Sequence, residues 1–186
     1  MRVLKLGVMA LTLAAVTPPP ALGAPRQQLL GLTCTIVGTS GDDELDGTSG
    51  ADVICARGGN DRIVARGGND FVFGGGGNDI IIGGNGDDQL VGEAGRDSAE
   101  GGTGDDQLFG GRDRDHGLVG GRGDDYVDGG PAADQCLDVR DGAGGDTAVG
   151  GTGTDGYNAD AGDVTSSVEV ANCEPVQQAG GTGGSP

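Results

Sequence analysis

The residues of this chain that could do chemistry are aspartates that recur every nine positions between glycines. From Gly38 onward the sequence divides into units with aspartate at the sixth position, as in GGGGNDIII at 74–82. A glycine-rich turn exposes backbone carbonyl oxygens, and one aspartate per turn adds a carboxylate. Ca²⁺, a hard cation, takes oxygen ligands of these two kinds. The spacing therefore predicts a row of cation sites.

The frame extends over thirteen units. Eight consecutive units of nine residues fill 38–109, with glycine at the fourth position and an aliphatic residue at the eighth. A ten-residue unit follows at 110–119, and three extra residues, 138–140, precede the unit at 141–149. Of 24 aspartates, more than half share the sixth position, whereas a random phase would place about a ninth of them there. They are Asp43, Asp52, Asp61, Asp70, Asp79, Asp88, Asp97, Asp106, Asp115, Asp125, Asp134, Asp146 and Asp155.

This pattern resembles the haemolysin-type (RTX) calcium-binding nonapeptide G-G-x-G-x-D-x-U-x, in which U is aliphatic. The resemblance implies that each Ca²⁺ lies between one turn and the turn stacked on it, and that both sixth-position aspartates and turn carbonyls hold it. The units at 110–119 and 138–158 depart from the pattern, which leaves calcium binding there open. The expected rows are Asp43, Asp61, Asp79, Asp97 and Asp115, and Asp52, Asp70, Asp88 and Asp106.

Positioning such turns requires an all-β fold, a parallel β-roll or β-helix solenoid with capped ends. Two units form one coil, x-U-x is a strand of about three residues, and the aliphatic side chain points inward. In the unit at 110–119, Gly117 falls on the inward position, and we expect a bulge or local disorder there. The inward ladders are Leu45, Ile63, Ile81 and Ala99, and Ile54, Val72, Leu90 and Leu108.

The two ends of the chain differ from the repeats. A basic start, an apolar run from Leu6 to Val16 and small residues at 21–23 predict a cleaved signal peptide and a secreted, extracellular product. The apolar run is too short to span a bilayer. A strand is expected at Thr33–Val37 and a closing strand at Val164–Cys173. The predicted segments are 1–23 signal peptide, 24–37 N-terminal cap, 38–158 repeat array, 159–174 C-terminal cap and 175–186 disordered tail.

Four cysteines suit an exported protein and allow three pairings. The pairing Cys34–Cys55 with Cys136–Cys173 would crosslink the two ends of the array. The first pair is favoured because the unit at 47–55 should stack on the strand that ends at Val37. Cys136, at an inward position, could alternatively be a reduced core residue.

Charge and composition restrict the function. Without residues 1–23 the chain has 29 acidic residues against nine arginines, a net charge of −20, which excludes nucleic acid as a partner. With one histidine, no catalytic constellation appears, and no enzyme activity is expected. The sequence indicates a secreted, monomeric, non-enzymatic protein that folds on binding Ca²⁺. The alternative is an extracellular adhesion or matrix module that uses the acidic solenoid as a spacer. A protein or cell-surface partner is left open.

Overall fold

The structure is a computed structural model that describes residues 31–168 and 170–171. Within these ranges it contains sixteen β-strands and no helix. In chain order the strands are β1 (Ile36–Val37), β2 (Glu44–Asp46), β3 (Val53–Cys55), β4 (Arg62–Gly67), β5 (Phe71–Gly76), β6 (Ile80–Asn85), β7 (Gln89–Ala94), β8 (Ser98–Thr103), β9 (Gln107–Gly111), β10 (Gly117–Arg122), β11 (Tyr126–Asp128), β12 (Leu137–Asp138), β13 (Thr147–Val149), β14 (Gly156–Asn158), β15 (Val164–Ser166) and β16 (Val170–Ala171).

The strands form two parallel sheets of eight strands each. One sheet, here the odd sheet, runs from β1 through the odd-numbered strands to β15, and the other, the even sheet, runs from β2 to β16. In the regular part of the array each residue pairs with the residue eighteen positions later, as Ile63 pairs with Ile81. Two nine-residue units therefore make one coil, and the predicted parallel β-solenoid is confirmed.

The central strands are longer than the three residues that the sequence predicts. Six strands, among them β4 and β6, have six residues because pairing continues into the first positions of the next unit. For example, Arg66 still pairs with Gly84, and Gly84 with Gly102. The turn that joins the two sheets is correspondingly short.

The core is the pair of aliphatic ladders, which the structure confirms and extends. Ile63, Ile81, Leu90 and Leu108 are at most 1% exposed. Burial of each such side chain contributes about 1.5–3 kcal/mol. The interior holds one such residue per coil in each sheet, which makes it a narrow core.

Two inward positions differ from the prediction. Leu118, and not Gly117, pairs with Ala99 and is buried, because His116 takes the extra place as an exposed bulge. The His116 N–H donates to the Asp97 carbonyl at 2.9 Å, and the chain then returns to register. Leu137, and not Cys136, continues this ladder opposite Leu118. Burial of a leucine is favourable in each case, whereas glycine buries no side chain.

The outer face of the odd sheet carries a second, smaller apolar cluster. Cys55, Phe73 and Val91 are its buried members, and Phe71 and Phe109 lie beside them, so all three phenylalanines of the chain lie outside the coil. The predicted Cys34–Cys55 disulfide is confirmed and joins this cluster, with a Cα–Cα distance of 5.9 Å.

Cys136 is also disulfide-bonded, so the alternative of a reduced core residue is wrong. Its predicted partner Cys173 lies outside the described residues, as do the predicted signal peptide 1–23 and tail 175–186. Where one closing strand was expected, the structure has two short ones, β15 and β16, one at the end of each sheet. In the described part of the chain, no helix has the length and apolar character that a membrane crossing needs.

Candidate calcium-binding turns

The turns at the two edges of the solenoid bring the thirteen predicted aspartates together in two rows. In each row, the backbone N–H of every aspartate but the last donates to Oδ1 of the aspartate one coil later, at 2.6–2.9 Å. The even row, which precedes the even-sheet strands, is Asp43, Asp61, Asp79, Asp97, Asp115, Asp134 and Asp155. The odd row is Asp52, Asp70, Asp88, Asp106, Asp125 and Asp146.

Both rows continue through the units that depart from the repeat pattern. Asp115 and Asp134 are nineteen residues apart, and Asp134 and Asp155 are twenty-one, yet each pair keeps the same hydrogen bond. The extra residues are absorbed elsewhere in the coil, so the turn geometry is retained. The sequence left this continuation open.

The second carboxylate oxygen of most of these aspartates has no hydrogen-bond donor. Within residues 31–168, Oδ2 is buried and accepts no hydrogen bond in nine aspartates between positions 61 and 134. A buried oxygen without a partner costs free energy, and a buried charged one costs more. The nine are Asp61, Asp70, Asp79, Asp88, Asp97, Asp106, Asp115, Asp125 and Asp134.

Seven of these oxygens, from Asp79 to Asp134, lie against the first glycine of their own unit. In the two earlier units the first position is alanine. A Cβ added to Gly74 would lie 2.5 Å from Asp79 Oδ2 and 3.0 Å from the carbonyl oxygen of Gly92 in the next coil. The same pair of atoms, a carboxylate Oδ2 and a next-coil carbonyl, meets at Gly83 and Gly101. A carboxylate oxygen without a donor and a carbonyl oxygen that converge on one point are the kinds of ligand that Ca²⁺ takes. The residues present therefore fit a calcium ion.

The buried carboxylates resist ionisation. Burial, reinforced by neighbouring carboxylates in the row and only partly offset by the backbone hydrogen bond, raises the pKa of Asp97, Asp106 and Asp115 to about 7. The same causes raise the pKa of Asp79 and Asp88 to about 6. A cation in the row would oppose both effects and favour the ionised form.

The described residues contain no group of three or more histidine, cysteine, aspartate and glutamate side chains placed to hold a metal. The turns explain this, since one coil offers one sixth-position carboxylate on each edge and backbone carbonyls otherwise. A calcium site in these turns would therefore be built mainly from main-chain oxygens, which glycine makes accessible.

The chain belongs to the RTX calcium-binding nonapeptide repeat family, with four matched copies at residues 35–63, 56–90, 82–116 and 118–136. Together these segments cover more than half of the 186 residues. Calcium binding is the property that defines this family of repeats. No curated protein matches the chain.

Sequence reasoning missed the role of the second position of each unit. Arg57, Arg66 and Glu93 occupy it with left-handed backbones, at φ 82°, 77° and 79°. The first two units have threonine there and no positive φ. The sequence does indicate this difference, because both of those units begin with GTSG where the family pattern has G-G-x-G.

Alanine at Gly74 is expected to weaken both calcium binding and stability, because its Cβ would displace the Asp79 carboxylate or the Gly92 carbonyl. Overpacking of this kind costs about 1–3 kcal/mol. Urea unfolding in saturating calcium and calorimetric calcium titration measure the two effects. Gly76→Ala is the matched control, since a Cβ there meets nothing within 4 Å. Equal losses in the two variants would contradict this role of the first glycine.

Proposed function

We propose that this protein is a secreted, non-enzymatic calcium-binding protein whose repeat array folds as Ca²⁺ binds between stacked turns. The observation that carries the proposal is the set of nine buried Oδ2 atoms without a donor. They lie in the two rows that the family's repeat pattern predicts. A solenoid that used these aspartates only as surface decoration would expose them, whereas Asp70, Asp79 and Asp97 are 1% exposed.

The rows suggest how many ions bind. The nine aspartates form four neighbouring pairs in the even row and three in the odd row, which gives seven candidate sites between consecutive coils. Seven divalent ions would offset fourteen of the twenty net negative charges expected after removal of residues 1–23. When bound, Ca²⁺ would supply positive charge between two coils. The protein would supply the carboxylates and the glycine carbonyls, with Asp146 and Asp155 extending the rows at the C-terminal end.

The oxidised cysteines support an extracellular location. The Cys34–Cys55 disulfide and the bonded Cys136 are typical of proteins that mature in an oxidising compartment. Free calcium is abundant outside cells, and extracellular modules bind it at about 10⁻⁴–10⁻³ M. Folding driven by calcium would therefore follow export.

The ligand assignment is tested by Asp70→Asn and Asp88→Asn. Each substitution keeps the side-chain shape but removes the charge that faces the ion. Asp88 belongs to two of the seven pairs and Asp70 to one. Asp88→Asn should therefore lose about two bound ions and Asp70→Asn about one, and both should weaken the rest. Calorimetric titration and counting of bound calcium by mass spectrometry give the numbers.

Asp113→Asn and Asp128→Asn are matched controls outside the sixth position. Asp113 is exposed, and its Oδ2 already accepts the N–H of Gly95 at 3.2 Å. A surface aspartate loses only a screened charge, so calcium binding should stay near that of the parent protein. Equal losses in all four variants would show that calcium is attracted by diffuse charge and not held by the turns.

A further inference from the structure

The first aspartate of each row has a carboxylate that the protein itself satisfies. Oδ2 of Asp43 accepts the Thr39 N–H at 2.6 Å and the Thr39 hydroxyl at 3.0 Å. Oδ2 of Asp52 accepts the Thr48 N–H at 2.7 Å and the Thr48 hydroxyl at 2.8 Å. The same oxygen has no donor in the aspartate one coil later in each row, Asp61 or Asp70.

The difference follows from the second position of the unit. In the next two units this position holds Arg57 and Arg66 in left-handed conformations. Threonine is β-branched and disfavours a positive φ, and neither Thr39 nor Thr48 adopts one. The N–H and hydroxyl of each threonine reach the carboxylate four residues later. Two donors thus surround an oxygen that in later turns, from Asp61 and Asp70 onward, is buried and accepts no hydrogen bond.

From these contacts, and resting on the proposed function, we infer that the first two turns, 38–43 and 47–52, do not bind calcium. Their threonines replace the ion, so the first coil is a calcium-independent end on which the calcium-dependent coils assemble.

The disulfide is an independent observation at the same end. Cys34 and Cys55 are twenty-one residues apart and enclose both threonine turns. Closing a loop of this length stabilises a fold by about 3 kcal/mol. Strand β3 also pairs with β1, so the first coil has a strand partner on its outer side. The crosslink and the threonine turns therefore stabilise the same segment without metal.

This first coil presents a template to the second coil. The Asp43 N–H donates to Asp61 Oδ1 at 2.8 Å, and the Arg62 N–H donates to the Asp43 carbonyl at 2.9 Å. A preformed first coil offers these groups before any ion arrives. Addition of coils should then proceed from the N-terminal end, one pair of turns after another.

Hydrogen exchange and calcium counting on the full mature chain test the inference. In EDTA the amides of 38–55 should be protected, while those of 74–109 exchange at the rate of an unfolded chain. The double variant Thr39→Gly, Thr48→Gly restores the family pattern, so its 38–55 amides should lose protection in EDTA. In saturating calcium it should bind two more ions than the parent, one for each new pair with Asp61 and Asp70.

The double variant Thr39→Ser, Thr48→Ser keeps hydroxyl and N–H and should behave like the parent in both measurements. Asp52→Asn should leave the number of bound ions unchanged, whereas Asp88→Asn reduces it. Unprotected 38–55 amides in the parent, or an unchanged ion count in the glycine variant, would overturn the inference. If the parent binds no calcium, the proposed function fails, but the exchange measurement without metal still decides whether the threonines hold the first coil.

Discussion

In EDTA at neutral pH, most of the repeat array is expected to be unfolded, and calcium should restore its β-structure in a cooperative transition. The interior holds only one large side chain per nine-residue unit, and each coil buries two carboxylates that would have to be ionised. Ordering a glycine-rich backbone costs more than such a narrow core returns. Each ion needs two stacked coils, so binding at one site prepares the next.

Far-ultraviolet circular dichroism and hydrodynamic radius during a calcium titration measure this transition. We expect the β-signal to rise several-fold and the chain to become compact. Magnesium is the control, since it requires a smaller regular octahedron and keeps its waters, so it should substitute poorly. A full β-signal and compact radius at zero calcium would show that the aliphatic ladders and disulfides suffice.

Acid is expected to replace calcium in part: without metal, lowering the pH from 8 to 5 should increase folding. Burial raises the pKa of Asp88 to about 6 and the pKa of Asp97 and Asp106 to about 7. Their ordinary value is 3.8. The folded array therefore binds more protons than the unfolded chain, and its stability falls as pH rises. The contribution is complete below pH 4 and is lost as pH rises through 6 to 7.

Calcium reverses this dependence, because protons and calcium compete for the same carboxylates. When calcium is present, acidification through pH 7 to 6 should weaken calcium binding. The calcium concentration at the midpoint of folding should therefore rise. Each unit by which folding raises a pKa destabilises the ionised array by about 1.4 kcal/mol. Folding in EDTA should thus be far more complete at pH 5 than at pH 8. Circular dichroism at both pH values, with and without calcium, measures the two opposite slopes.

The triple variant Asp97→Asn, Asp106→Asn, Asp115→Asn provides the control. Asparagine imitates the protonated carboxyl, so this variant should fold in EDTA at pH 8 to a greater extent than the parent and respond less to acid. A metal-free parent that loses β-signal on acidification would contradict the prediction and show that the row aspartates ionise freely in the folded array.

The sequence predicts the regular part of the molecule because one physical rule acts at every unit. The nine-residue phase of aspartate and aliphatic residues determined the two ladders, the eighteen-residue stacking and the Cys34–Cys55 bridge. The prediction from this phase was wrong at two inward positions, which Leu118 and Leu137 occupy, because an extra residue shifts the frame there. There the turn hydrogen bonds of Asp115 and Asp134 are kept and the extra residue follows the aspartate, which brings the leucine inward.

Other features depend on backbone dihedral angles, which cannot be predicted from the spacing of residue types in the sequence. The extension of the central strands requires that left-handed residues such as Arg66 still pair with the next coil. The threonine contacts depend on the absence of that conformation at Thr39 and Thr48. Both follow from the second position of the unit, to which the repeat pattern assigns glycine and no further role.

The bulge at His116 has a consequence for how the chain finds its partner strands. In a strictly periodic array, a strand can pair with the strand two coils away instead of the strand in the next coil. Ile63, for example, could pair in the same register with Ala99 instead of Ile81. Across the bulge, Ala99 pairs with Leu118 at a separation of nineteen residues and not eighteen. A skipped coil in this part of the chain would bring the bulge, or one of the coils of nineteen or twenty-one residues, against a coil of regular length. The irregular units therefore differ from one another as stacking partners, whereas the regular N-terminal coils are alike, and there the disulfide already fixes the first pair.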